Sequence, residues 1–136
     1  MPYVTANGVR THFEMVGDGP PLLLIAGNGM DHTAFRDQVP SFALKFRCIT
    51  YDLRGVGQSD VPQSGYTTPE MARDAVALLS ALGFESAHIA GYSLGGAIAQ
   101  WMAANRRASA GHSWEIYGDP TPDPADTETT VVYHLK

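Results

Sequence analysis

Ser93 stands in Gly91-Tyr92-Ser93-Leu94-Gly95-Gly96, after one apolar run and before another. A serine hydroxyl becomes a nucleophile when it is exposed, oriented and relieved of its proton by a nearby base. The glycines serve the first two needs. Without side chains at 91 and 95, a strand can turn sharply into a helix and leave Ser93 at the apex in a strained conformation. The amide of Leu94 would then point into the same space, at the positive end of the helix dipole. The expected chemistry is attack on a carbonyl, and what remains to be found is the base. Three histidines are candidates, in the order His134, His32, His112. His134 reaches Ser93 only if its strand lies beside the one preceding Ser93 and runs parallel to it. His32 lies in a loop on the correct edge. His112 must return along a helix of about 12 residues, some 18 Å at 1.5 Å per residue, on a linker of about six residues at about 3.3 Å each.

The elements that would position these groups alternate along the chain. Val9 to Val16 follows an Asn7-Gly8 turn and reads as a strand paired back onto Pro2 to Ala6. Leu22 to Ala26, Arg47 to Asp52 and Ser86 to Tyr92 are short apolar runs, as in strands buried on both faces. Between them, Thr33 to Phe46 reads as a helix kinked or split at Pro40. Pro69 to Leu82 reads as a helix capped by Thr68 and ended by Gly83. Leu94 to Asn105 reads as a third helix. Strand–helix alternation implies parallel strands joined by right-handed crossovers. Ligands gather at the carboxyl ends of such strands, where the loops 27–32, 52–68 and 91–96 all fall.

The chain has 136 residues, 44% hydrophobic and 17% charged, which suits one globular domain. A net charge of −5 speaks against nucleic acid or an anionic membrane as partner. The single cysteine, Cys48, precludes an internal disulfide. With no signal-peptide pattern at the start and no apolar stretch of about 20 residues, a cytoplasmic location is expected. His12 reads as a surface residue of an alternating strand, Cys48 as a small buried hydrophobe, and Glu70, Arg73 and Asp74 as a solvated helix face. No His, Cys and carboxylate spacing suggests a metal site, and no cofactor is expected.

Three motifs, in order, carry a family resemblance. Residues 3 to about 106 resemble the N-terminal half of an α/β-hydrolase fold enzyme of the serine esterase and perhydrolase-like group. Gly91 to Gly96 resembles its nucleophile elbow. Asp52-Leu53-Arg54-Gly55-Val56-Gly57-Gln58-Ser59, with Pro62, resembles its D-x-R-G-x-G-x-S-x-x-P loop. Leu24 to Gly29 resembles its His-Gly loop, with Ala26 where the family has histidine. The resemblance implies that Ser93 attacks an ester or amide and that the amides of Leu94 and Asn28 form the oxyanion hole. It also implies that Asp52, Arg54, Gly91 and Gly95 shape the loops. The family places its acid and histidine after later strands, and only 43 residues follow Ser93.

The tail reads differently. Residues 111 to 136 resemble the closing segment of GyrI-like effector-binding domains, with Trp114 to Gly118 and Thr130 to Leu135 as strands around a Pro-rich loop. That resemblance implies a ligand contact for Glu115. The expected architecture is thus a truncated α/β-hydrolase domain with a mostly parallel sheet over 1–106, followed by a β-hairpin tail of different origin over 107–136. Two function classes follow: a weakly active acyl hydrolase acting on a small ester or amide, or a non-catalytic chimera that binds small molecules or self-associates. The outer edge of the strand before Ser93 would be covered by Thr130 to Leu135, or would pair in a homodimer.

Overall fold

The computed structural model describes residues 2–106, 114–117 and 130–135, with side chains described over 2–103. β1 (Tyr3–Ala6) and β2 (Val9–Val16) form a hairpin whose turn holds Asn7 and Gly8 at positive φ. β3 (Pro21–Ile25), β4 (Arg47–Tyr51) and β5 (His88–Tyr92) are the three apolar strands. Among the described residues β6 (Trp114–Tyr117) and β7 (Thr130–Leu135) complete a sheet of order β1-β2-β4-β3-β5-β7-β6.

β3 lies between β4 and β5 and runs parallel to both. The remaining pairings are antiparallel, so the sheet is mixed rather than mostly parallel. The physical reason is local. A two-residue turn can only reverse the chain, which makes β1 and β2 antiparallel, and β2 then joins β4 in the opposite sense. β7 lies on the outer edge of β5, one of the two arrangements expected, and runs against it.

The stretch 33–46 divides in two, as Pro40 requires. A 3₁₀ turn spans His32–Phe35, capped by the Asp31 carboxylate, and α1 is a single turn at Val39–Phe42. α2 (Thr68–Ala81) is capped by Thr67, one residue before the expected cap, and Pro69 sits in its first turn. α3 is Leu94–Arg106.

The two faces of the sheet are unequally covered. α2 and α3 pack on one, over a core that includes Leu23, Ile49, Ile89, Leu78, Ile98 and Met102. The other face buries Leu22, Leu24, Cys48 and Ala90 under Phe35, Val39, Ala43 and Phe46. A cavity of about 390 Å³ remains there, reaching from Phe42 and Phe46 to Met30 and Tyr92.

One helix residue departs from the solvated reading. Asp74 is buried and receives Nε and Nη2 of Arg54, each at 2.6 Å, while Asn7 donates to its Oδ1 at 2.8 Å. This bidentate pair ties the 52–68 loop to α2. The hydrogen bonds to Asp74 outweigh burial and hold the Arg54 guanidinium above its ordinary value. Removing one partner strands a buried charge, which typically costs about 3–5 kcal/mol. Asp74→Ala is therefore expected to lower the stability read from urea unfolding by about 3 kcal/mol or more. Arg73→Ala, which removes a pair whose arginine is 62% exposed, should change it by no more than about 0.5 kcal/mol.

Candidate functional site

The loops at the carboxyl ends of β3, β4 and β5 converge. At the β5–α3 junction the chain turns so tightly that a Cβ on Gly91 would stand on the carbonyl of Gly95. A Cβ on Gly95 would in turn meet the carbonyl of Ile25 in β3. Both contacts are with backbone, which cannot swing aside. Ser93 takes φ +54°, one of two non-glycine residues at positive φ among the described residues. It is exposed at the apex. Its carbonyl starts the helix by accepting from Ala97 at 3.1 Å.

Gly27, in the loop after β3, lies directly against this apex. A Cβ there would come within 3.2 Å of Met30 Sδ, 3.3 Å of the Tyr92 ring and 3.4 Å of Ser93 Cβ. Asn28 follows, exposed. Ala26, where the family has histidine, is buried at the end of β3.

Asp52 lies behind this loop and is wholly buried. Its Oδ1 accepts from the His32 amide at 2.7 Å and lies 2.8 Å from His32 Nδ1. Its Oδ2 accepts from the Gln58 amide at 3.0 Å. Gly57, at φ +54°, lets that amide approach, since any Cβ at 57 would press on the carboxylate. Ser59 Oγ donates to the Asp52 carbonyl at 2.6 Å and accepts from the His12 amide at 3.0 Å. The D-x-R-G-x-G-x-S loop is thus folded around its own aspartate.

The candidate bases fall as follows. His32 is engaged by Asp52 through Nδ1 and faces Glu14 through Nε2 at 3.5 Å. Among the described residues, no imidazole hydrogen-bonds the Ser93 hydroxyl. His134 lies opposite His88, and Thr130 lies opposite Tyr92. The parallel alignment that would bring His134 to Ser93 is therefore not the one formed. The antiparallel register puts it five residues up the neighbouring strand, about 16 Å from the elbow at about 3.3 Å per residue. His112 and the Glu115 side chain lie outside the described residues.

His12 is the residue most misread from sequence. It is fully buried rather than exposed. Alternation in β2 would turn it outward, but residues 52–60 and His32 cover that face, so Thr11, His12 and Phe13 are buried in succession. Its ring lies 4.7 Å from that of His32, centre to centre. Its Nδ1 is 3.3 Å from Asp52 Oδ2, close enough for an ionic contact but not aligned as a hydrogen bond, and Nε2 also lacks a partner. His12, His32 and Asp52 come from three separate segments, so no short motif could reveal the cluster.

Once this geometry is seen, the class is plain: a strand–serine–helix elbow beside a glycine loop, at the carboxyl edge of β3 and β5. The model of the alpha/beta hydrolase fold family matches residues 20–115, and the chain belongs to that family. The match runs past residue 106, where the resemblance was expected to end. The chain is 36% identical over 101 residues to a soluble epoxide hydrolase of Corynebacterium sp. (strain C12), covering 74% of this chain and 35% of that protein. It is 35% identical over 91 residues to 3-oxoadipate enol-lactonase 1 of Acinetobacter baylyi, covering 67% of this chain and 34% of that one. The crystal structure of the enol-lactonase from Burkholderia xenovorans LB400 superposes with a TM-score of 0.75 at 30% identity. That superposition covers 78% of this chain and 42% of the lactonase. The chain therefore spans about a third of the length of these two curated relatives. Among the described residues, no helix is long and apolar enough to cross a membrane.

Two expectations follow. At a left-handed position alanine is disfavoured against glycine by about 1–2 kcal/mol. Ser93→Gly should therefore be more stable than Ser93→Ala by about 1 kcal/mol in denaturant unfolding, whatever Ser93 does chemically. The second concerns His32. Burial pulls its pKa down, but the hydrogen bond to Asp52 and the charges of Asp52, Glu14 and Asp31 together outweigh this, and the net shift is upward. A raised folded pKa means that the folded state binds the proton more tightly. The contribution to stability is then full below the unfolded value near 6.5 and is lost as pH rises through the folded value. In buffer containing a chelator, the stability gap between wild type and His32→Gln should be wider at pH 5.5 than at pH 9.

Proposed function

We propose that Ser93 is the nucleophile of an acyl-transfer hydrolase acting on carboxylic esters, lactones included. The observation that carries this reading is the elbow: an exposed serine at φ +54°, held by a backbone-to-backbone crossing that tolerates only glycine at 91 and 95. The amide of Leu94, at the start of α3, and that of Asn28, beside Gly27, are the oxyanion donors in this reading. Each such donor is typically worth about 10²–10³ in rate. Asp52 and Arg54 hold the surrounding loops and take no part in bond making.

The chemistry of serine decides between the two kinds of relative. Attack on an ester or lactone carbonyl gives an acyl-serine that water can hydrolyse. Attack on an epoxide carbon would give an alkyl ether, which water does not release. Lactone hydrolysis therefore fits this site better than epoxide hydrolysis.

The base is the weak point of the described site. His32 is engaged by two carboxylates and His134 lies far up β7, so acylation should outrun deacylation, which needs a base to activate water. A fluorophosphonate probe should label Ser93, located by mass spectrometry of the digested protein. With p-nitrophenyl acetate, a burst of p-nitrophenol should precede slow turnover. Ser93→Ala should remove both labelling and burst. If folded wild-type protein takes up no probe, or if Ser93→Ala leaves the rate unchanged, the second function class holds, a non-catalytic protein that binds small molecules or self-associates.

A further inference from the structure

We propose that His12, His32 and Asp52 form a binding site for a divalent transition-metal ion of the zinc class, with Glu14 as the outer partner of His32. The three residues each offer one ligand atom, and these atoms lie within 4.8 Å of one another. Any three atoms so disposed share a point no more than about 2.8 Å from each. Zinc bonds to nitrogen and oxygen run to roughly 2.0–2.2 Å, so the site closes with shifts of about 0.7 Å. Two imidazoles and one carboxylate suit zinc, whereas calcium and magnesium take all-oxygen shells.

Burial separates this group from an ordinary surface cluster. The side chains of His12 and Asp52 are fully buried, and that of His32 is 13% exposed. The His12 ring is the independent sign. It is enclosed, yet neither nitrogen has a hydrogen-bond partner. A buried polar group left unpaired is destabilising, and coordination through one ring nitrogen would satisfy it. Nδ1 already lies 3.3 Å from the carboxylate that would share the ion.

The surroundings of His32 supply the rest. Its Nδ1 lies 2.8 Å from Asp52, where the ion would displace the proton held between them and release it to solvent. Its Nε2 lies 3.5 Å from Glu14, which is half exposed. Imidazoles that bind metal through one nitrogen almost always give the other N–H to a carboxylate, carbonyl or water, and Glu14 is placed to take it. The open side at Glu14 offers the ion an entrance and leaves room for water at a fourth position. Bound there, the ion would fasten β2, the loop after β3 and the end of β4 together. This inference does not depend on Ser93 being a nucleophile.

The test uses the full chain, stripped with chelator and dialysed against micromolar zinc chloride, with metal measured by atomic absorption. Cobalt(II) chloride serves as the spectroscopic probe. One zinc per chain is expected, together with the visible absorption of four-coordinate cobalt. His32→Gln should lose both, and Glu14→Gln should retain the site with affinity lowered about 10–100-fold. A double variant, His112→Gln with His134→Gln, should bind as wild type. His12→Gln should also lose the site; should that core variant fail to fold, His32→Gln and the wild-type stoichiometry decide. Absence of stoichiometric zinc in the wild type, or binding that survives His32→Gln, overturns the proposal. So does binding that disappears with His112 and His134.

Discussion

The carboxylate of Asp52 is the constraint on which this end of the molecule is built. A carboxyl group enclosed in the protein must find hydrogen-bond partners, because each polar atom left bare is costly. Asp52 has no exposure, and its donors come from sequence-distant places: the amide of His32 from the loop after β3, and the amide of Gln58 from the loop after β4. Both loops must therefore fold inward on one point. The hydroxyl of Ser59 and the amide of His12 then lock that point to β2. The loop carrying Gly27 and Asn28 is thereby tied, through the amide of His32, to a buried carboxyl group as well as packed against the elbow at Gly27.

The elbow itself depends on a different kind of contact. Where β5 turns into α3, the helix approaches β3 backbone to backbone, and this fixes β5 as the neighbour of β3. The same crossing sets Ser93 at the edge of the sheet. Two arrangements with unrelated physics, steric exclusion at 91 and 95 and charge satisfaction at 52, thus converge on one opening. Both lie within residues 20–115, the stretch that the family model matches, in a chain that spans about a third of its curated relatives.

What could be read from the sequence was whatever is dictated locally. β2, β3, β4 and β5 were legible because runs of branched and apolar residues have few other homes, and α2 because Thr68, Pro69 and Gly83 punctuate it, although the cap proved to be Thr67. Ser93 was legible because glycine spacing encodes a steric need. The sense of the sheet was legible only at the β1–β2 hairpin, because the pairings of β2 with β4 and of the tail with β5 are decided by long-range register; β7 runs against β5, and His134 falls beside His88. The buried ring of His12 was equally out of reach. Its burial comes from residues some 40 positions away, and a two-residue periodicity describes only the strand, not what covers it. Asp74 failed for the same reason, since Arg54 finds it across the fold.

The unequal covering of the sheet makes Cys48 informative about motion. It is the single thiol of the chain, 1% exposed, in the thin layer beneath Phe35, Val39, Ala43 and Phe46. Burial alone raises its pKa, so a thiol reagent meets it as a thiolate only after the layer lifts. That layer is one 3₁₀ turn and one helical turn, while the opposite face is held by two full helices. Alkylation kinetics at Cys48 would therefore report the opening of one face of the molecule, separately from the cooperative unfolding that the core under α2 and α3 governs.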